Sequence, residues 1–159
     1  MIHHVTGDLV ALADAGEFDI VVHGCNCFNT MGAGIAKQLR TRWPDIAKAD
    51  AATIKGNYNK LGTFSFAYIP DADKDFLAIN AYTQYKIRRE FQEDVFEYTS
   101  FKMILQKLYY LHGCENFGFP KIGMGLAGGD ENRIMSMLNY FSEAVDKRGG
   151  SVTLVTLGE

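Results

Sequence analysis

Residues 18–44 read FDIVVHGCNCFNTMGAGIAKQLRTRWP. Ile20, Val21 and Val22 are apolar without alternation, the pattern of a strand buried on both faces. The apolar run then dissolves into His23, two thiols (Cys25, Cys27) and two amides (Asn26, Asn29). Glycines follow at 32 and 34. The spacing predicts a helix over 31–42, with Ile35, Leu39 and Arg42 along one stripe. Trp43-Pro44 ends it, because a residue before proline avoids the α region. Strand, glycine loop and helix in this order form the repeating unit of layered α/β folds. In open sheets of that kind, ligands bind beyond the carboxyl ends of the strands.

Outward from this segment, apolar runs alternate with helical patterns. MIHHV (1–5), GTFSFAYI (62–69), DFLAINAYT (75–83), NFGFPKI (116–122) and SVTLVTL (151–157) read as further strands. Residues 71–74, Asp-Ala-Asp-Lys, read as a hairpin turn between the second and third of these. Helices are expected at 46–54, at 93–112 with Val95, Tyr98, Phe101, Ile104, Leu105 and Leu108 on one face, and at 130–148. The expected architecture is a mixed six-stranded sheet with helices on both faces, a three-layer α/β/α fold. A length of 159 residues fits one such domain, spanning 1–159.

Composition narrows the function. The formal charge is −3 and no basic block is present, which argues against direct nucleic-acid binding through phosphate neutralisation. A small anion remains open, since backbone N–H groups bind one without lysine or arginine. No apolar run approaches the ~20 residues of a membrane helix, and MIHHVTGDLV lacks the zones of a signal peptide. Of three cysteines, Cys25 and Cys27 are too close for an ordinary bridge. Reduced thiols in a cytoplasmic protein are the expectation.

Two loops bear the chemistry. NTMGAGIA (29–36) and GMGLAGGDEN (123–132) each lead from a strand end into a helix, whose first turn offers unpaired N–H groups and the positive end of the helix dipole. Such glycines either make tight turns or leave room for a ligand; side by side, the loops could hold a diphosphate. Gly123, Gly125 and Gly128 also match the GxGxxG spacing, but the dinucleotide fingerprint belongs in the first βα turn of its unit, and only one strand follows here. Lys37 is wrongly spaced for a P-loop. His23, Cys25 and Cys27 are packed too tightly for an ordinary tetrahedral zinc site, so no metal and no cofactor are expected. Two readings stand for His23: a satisfied semi-buried histidine, or a catalytic one. Asn26 and Asn29 at a strand end suit hydroxyl recognition, and Asn80 sits similarly or caps a turn. Asp8 is either a helix N-cap or an acceptor for an exocyclic amine. Asp130 is either an N-cap or a general base at the mouth of the second loop.

Taken together, TGDL (6–9), HGCNCFNTMGAGIAKQL (23–39), INAYTQ (79–84) and FPKIGMGLAGGDEN (119–132) resemble a macro domain, the ADP-ribose-binding α/β/α fold, over essentially the whole length. HGCNC, MGAGIAKQL and Trp43-Pro44 look most like the branch that dephosphorylates ADP-ribose 1″-phosphate. The resemblance implies that Asp8, with Leu9 beside it, meets adenine. It implies that Gly32, Ala33, Gly34 and Ile35 line one side of the diphosphate, and that Gly123, Gly125, Leu126, Ala127 and Gly128 supply the other. Asn26 would face the distal ribose with Asn29 nearby, and His23, Asn26 and Asp130 would serve catalysis. The expected partners are ADP-ribose, ADP-ribose 1″-phosphate or ADP-ribosylated macromolecules, with no membrane contact. Gln84 and Ala127 stand where a related branch has a catalytic Lys and Asp, so no lysine adduct is expected. Val155 stands where many relatives stack an aromatic on adenine, and Glu131 where some carry Trp.

Overall fold

The computed structural model describes residues 1–70, 72–87 and 95–158. Six strands form one sheet: β1 (His3–Thr6), β2 (Ile20–Cys25), β3 (Phe64–Ile69), β4 (Phe76–Tyr82), β5 (Asn116–Phe119) and β6 (Ser151–Thr156), in the order β1-β6-β5-β2-β4-β3. All neighbours are parallel except the β3–β4 hairpin, so the sheet is mixed, as expected. Of that hairpin's predicted turn, Asp71 lies outside the described residues. The central strand β2 is buried along nearly its whole length, in keeping with its unbroken apolar run. β5 stops sooner than the sequence suggests, at Phe119, because Pro120 has no N–H to continue the ladder.

Among the described residues, five α-helices cover the two faces. α1 (Leu9–Asp14), α2 (Gly34–Arg42) and α3 (Pro44–Ala51) lie on one side. Leu9, Ala13, Leu39, Trp43 and Ile46 pack there against Val21, Cys25, Ala78 and Tyr82. α4 (Tyr98–His112) and α5 (Glu131–Lys147) lie on the other. Their residues Phe101, Ile104, Leu108, Ile134, Leu138 and Val145 pack against Ile20, Val22, Ile79, Phe117 and Val152. The period of two along β2 thus sends Val21 to one core and Val22 to the other. α4 begins at Tyr98, later than the periodicity predicts. Residues 93 and 94 of that expectation lie outside the described residues, and Phe96 instead bridges to Gln84. α2 likewise begins only at Gly34, so Met31 to Ala33 stay in the loop.

The site follows from this topology. β2 and β5 are neighbours, but they pair only at Ile20–Phe117 and Val21–Gly118. Beyond Val21 their carboxyl ends part. The helix after β2 packs on one face of the sheet and the helix after β5 on the other. Adjacent strands whose connections leave to opposite faces make a switch point, where open α/β sheets hold their ligands.

Candidate ligand-binding cleft

The first loop leaves β2 at Cys25 and is shaped by its own amides. Asn26 Oδ1 accepts from the Phe28 N–H at 2.8 Å, and Asn26 Nδ2 donates to Thr30 Oγ1 at 2.7 Å. Asn29 takes a left-handed backbone, φ 57°. Its Nδ2 donates to the Thr53 carbonyl at 3.0 Å and its Oδ1 accepts from Lys60 Nζ at 2.6 Å. Both amides therefore commit part of their donor and acceptor capacity to building the turn. Past them, Gly32, Ala33 and Gly34 are exposed. Ala33 stands at the N-cap of α2 and has no side chain that can cap, so the first-turn N–H groups of this nine-residue helix have no side-chain partner at the cap.

The glycines of this loop are not explained by packing. A Cβ built at Gly32 or at Gly125 meets no atom within 4 Å, and neither residue has a positive φ. Nothing in the fold requires a missing side chain at these two positions, which lie on opposite loops. Gly34 combines open space with φ 58°, so glycine also relieves backbone strain there.

The second loop is tied down more tightly. The Gly129 N–H donates to the Gly123 carbonyl at 2.7 Å and the Gly128 N–H to that of Gly125 at 3.0 Å. A Cβ at Gly123 would meet the Phe96 ring at 2.4 Å, so packing alone accounts for this glycine. Leu126 is exposed, while Ala127 is buried, with its carbonyl accepting from the Val95 N–H at 3.1 Å. Asp130 caps α5 through Oδ1, which accepts from the Arg133 N–H at 3.0 Å. Its own N–H donates to the Tyr98 hydroxyl at 2.8 Å. Asp8 caps α1, its Oδ1 accepting from the N–H groups of Val10 and Ala11, and its carboxylate is exposed at the carboxyl end of β1. Leu9 points into the α1–α3 core, so its side chain does not line the cleft. Ile35 is half-buried against the same core, and Val155 is buried within it.

His23 lies below the cleft rather than in it. Its register partner is Asn80 on β4, and both side chains are fully buried under α3. Nε2 donates to Asn80 Oδ1 at 2.6 Å, and Asn80 Nδ2 donates to the Ile46 carbonyl and to Ser65 Oγ. Ser65 Oγ lies 2.9 Å from the Tyr82 hydroxyl, which donates to Asp50 Oδ1 at 2.7 Å. Burial lowers the His23 pKa to about 4, only partly offset by the Asn80 bond. A neutral ring without solvent access cannot hand a proton to a phosphate in the cleft. The catalytic reading of His23 gives way to the structural one.

The chain of buried polar groups also holds residues that the sequence reading passed over. Asp50 is buried on α3, and burial raises its pKa, with the Tyr82 hydrogen bond and the charge of Lys60 opposing. Lys60 is buried as well, bonding the Cys27 carbonyl at 3.0 Å and resting 4.7 Å over the Tyr82 ring. A signal existed for Asp50, four residues after Ile46 on the apolar stripe of its helix. Lys60, in a short helical turn (Tyr58–Lys60), carries no local signal at all. Burial also raises the pKa of Cys25 and Cys27, which keeps both thiols protonated.

No protein-family model matches the chain. A protein of Enterobacteria phage T4, an uncharacterized 17.5 kDa product of the tk-vs intergenic region, is 29% identical over 155 residues, covering 92% of this chain and 93% of its own length. The macrodomain of Mycobacterium tuberculosis DarG superposes with a TM-score of 0.72 at 18% identity, over 98% of this chain and 97% of that one. Thermosipho africanus DarTG, solved in complex with ADP-ribose, superposes with a TM-score of 0.70 at 13% identity, over 98% of this chain and 41% of that one. The six-stranded mixed sheet, its two helical layers and the switch point between β2 and β5 are those of a macrodomain fold.

Proposed function

We propose that the cleft between the two glycine loops binds ADP-ribose. The observation that carries this reading is the pair Gly32 and Gly125, one on each loop, whose missing side chains nothing in the protein requires. A diphosphate held there would accept from the backbone N–H groups at the uncapped start of α2. The exposed Asp8 carboxylate stands ready for the adenine amine. The similarity in fold to a protein solved with ADP-ribose supports the same ligand. Calorimetry with ADP-ribose and with AMP tests it: saturable binding of ADP-ribose is expected, and no heat at millimolar ligand would refute the reading.

For turnover, the reaction proposed is release of phosphate from ADP-ribose 1″-phosphate. The α2 N–H groups would stabilise charge on the phosphate oxygens, and Asp130, at the end of the second loop, is the carboxylate that could position water. Asn26 would act by holding the first loop in shape, and His23 takes no part. Recognition of ADP-ribose or of ADP-ribosylated partners without turnover uses the same cleft. Phosphate release measured in EDTA separates the two: binding with no release leaves recognition alone.

A further inference from the structure

Among the described residues the sheet ends on one side at β3, and that edge is unlike an ordinary one. Phe64, Phe66 and Tyr68 share the face that looks toward α4 and α5, because Phe66 pairs with Ile79 of that core. Yet Phe66 and Tyr68 are 60% and 58% exposed, and Met103 of α4, which packs on Gly62, is 51% exposed. The strand FSFAYI contains no charge and no proline, two of the devices by which edge strands avoid pairing. The opposite edge, β1, is four residues long and carries two histidines.

The backbone of β3 is oriented for a partner. The Tyr82 N–H donates to the Thr63 carbonyl. With the alternation of an antiparallel ladder, Ser65, Ala67 and Ile69 then turn their N–H and C=O groups inward to Asn80, Ala78 and Phe76. Those of Phe64, Phe66 and Tyr68 point outward along the open edge. We propose that β3 pairs antiparallel with β3 of a second copy of this chain, about a two-fold axis through Phe66. Phe64 then stands opposite the second copy's Tyr68, and Phe66 opposite Phe66. Phe64, Phe66 and Tyr68, the residues that must bond across the axis in that register, all have outward-facing backbone groups, and the contact is isologous, so it closes as a dimer. Six aromatic rings line one face of the joined sheet, where cross-strand aromatic pairs add stability, and Ser65 meets Ala67 on the other face. Charge agrees with the same register. Lys107 Nζ sits 5.1 Å over the Phe64 ring, and Asp75 accepts from the Tyr68 hydroxyl. Pairing Phe64 with Tyr68 therefore brings each Lys107 toward the other copy's Asp75, twice by symmetry.

Sedimentation velocity over a range from micromolar to millimolar protein tests the proposal. A species of twice the monomer mass is expected. Phe66→Lys, which sets two ammonium groups on the axis, is expected to weaken association at least tenfold while ADP-ribose affinity stays within twofold. Lys107→Glu is expected to weaken it, and adding Asp75→Lys to restore it. In a Cys114→Ser background, whose remaining thiols are buried, Phe66→Cys is expected to give a dimer with a short bismaleimide, and Leu111→Cys none. A monomer at all concentrations, or a dimer indifferent to both Phe66→Lys and the charge exchange, would overturn the proposal. The charge exchange decides the matter should Phe66→Lys fail to fold.

Discussion

In the first glycine loop, a Cβ added at Gly32 or Gly34 meets nothing within 4 Å. In the second, one added at Gly123 meets Phe96 at 2.4 Å and one at Gly129 meets Ile134 at 2.6 Å, while Gly125 opens on empty space. The loops look alike as strings of glycines, yet packing accounts for Gly123 and Gly129 of one and for neither Gly32 nor Gly34 of the other. The first loop gets its rigidity from below, through the side chains of Asn26, Asn29 and Lys60, and leaves its upper surface vacant. The second gets its rigidity from within, through close backbone contacts that only glycine permits. A ligand-shaped loop and a packing-shaped loop should fail differently when mutated.

The strongest way to break the comparison is Gly34→Glu. The carboxylate would stand in the proposed phosphate space and repel the diphosphate, and the positive φ would cost about 1 kcal/mol. ADP-ribose affinity is expected to fall at least ~100-fold while the protein still unfolds cooperatively. Unchanged affinity by calorimetry would mean that the loop is only a turn.

Gly123→Ala should do the reverse. Its positive φ and the clash with Phe96 together should cost about 2–4 kcal/mol of stability. Chemical denaturation reads this directly, and a loss below about 0.5 kcal/mol would show that the second loop relaxes as freely as the first.

His23 probes the filled region beneath the first loop. Its folded pKa of about 4 lies below the ordinary value of 6.5, so the unfolded chain binds the proton more readily between these values. The contribution is fully present above pH 6.5 and is lost as pH falls toward 4, on the order of 3 kcal/mol in all. Asp50, whose pKa is raised, acts with the opposite sign, so the informative quantity is the wild type minus His23→Ala. That variant leaves Asn80 Oδ1 unpaired in the core and should lower stability by about 1–3 kcal/mol at pH 7. It should also flatten the pH dependence and leave ADP-ribose affinity per folded molecule unchanged. A loss of affinity at full folding would return His23 to the site.

Gly32→Ala is the smallest and most selective change. With no neighbour to clash and no positive φ, stability should move by less than about 0.5 kcal/mol. Affinity for ADP-ribose should still fall several-fold, because the methyl takes up space reserved for the ligand. Equal effects on stability and binding would erase the distinction between the loops.

Most of the architecture was legible along the chain, since it rests on local patterns. The unbroken Ile20–Val22 run marked the strand buried on both faces, the Trp43-Pro44 pair marked the end of α2, and the glycine loops marked the carboxyl edge of the sheet. Those signals come from burial periodicity and backbone sterics, which act within a few residues. What the polar residues do was decided only in three dimensions. His23 finds Asn80 from 57 positions away, Asn29 finds Lys60 from 31, and each bond turns a plausible ligand contact into a strut. Gly32 and Gly123 are identical as letters; one faces space and the other an aromatic ring contributed by the segment before α4. A side chain's chemistry is set by its solvent access and its partners, and both depend on which distant elements the sheet order brings together.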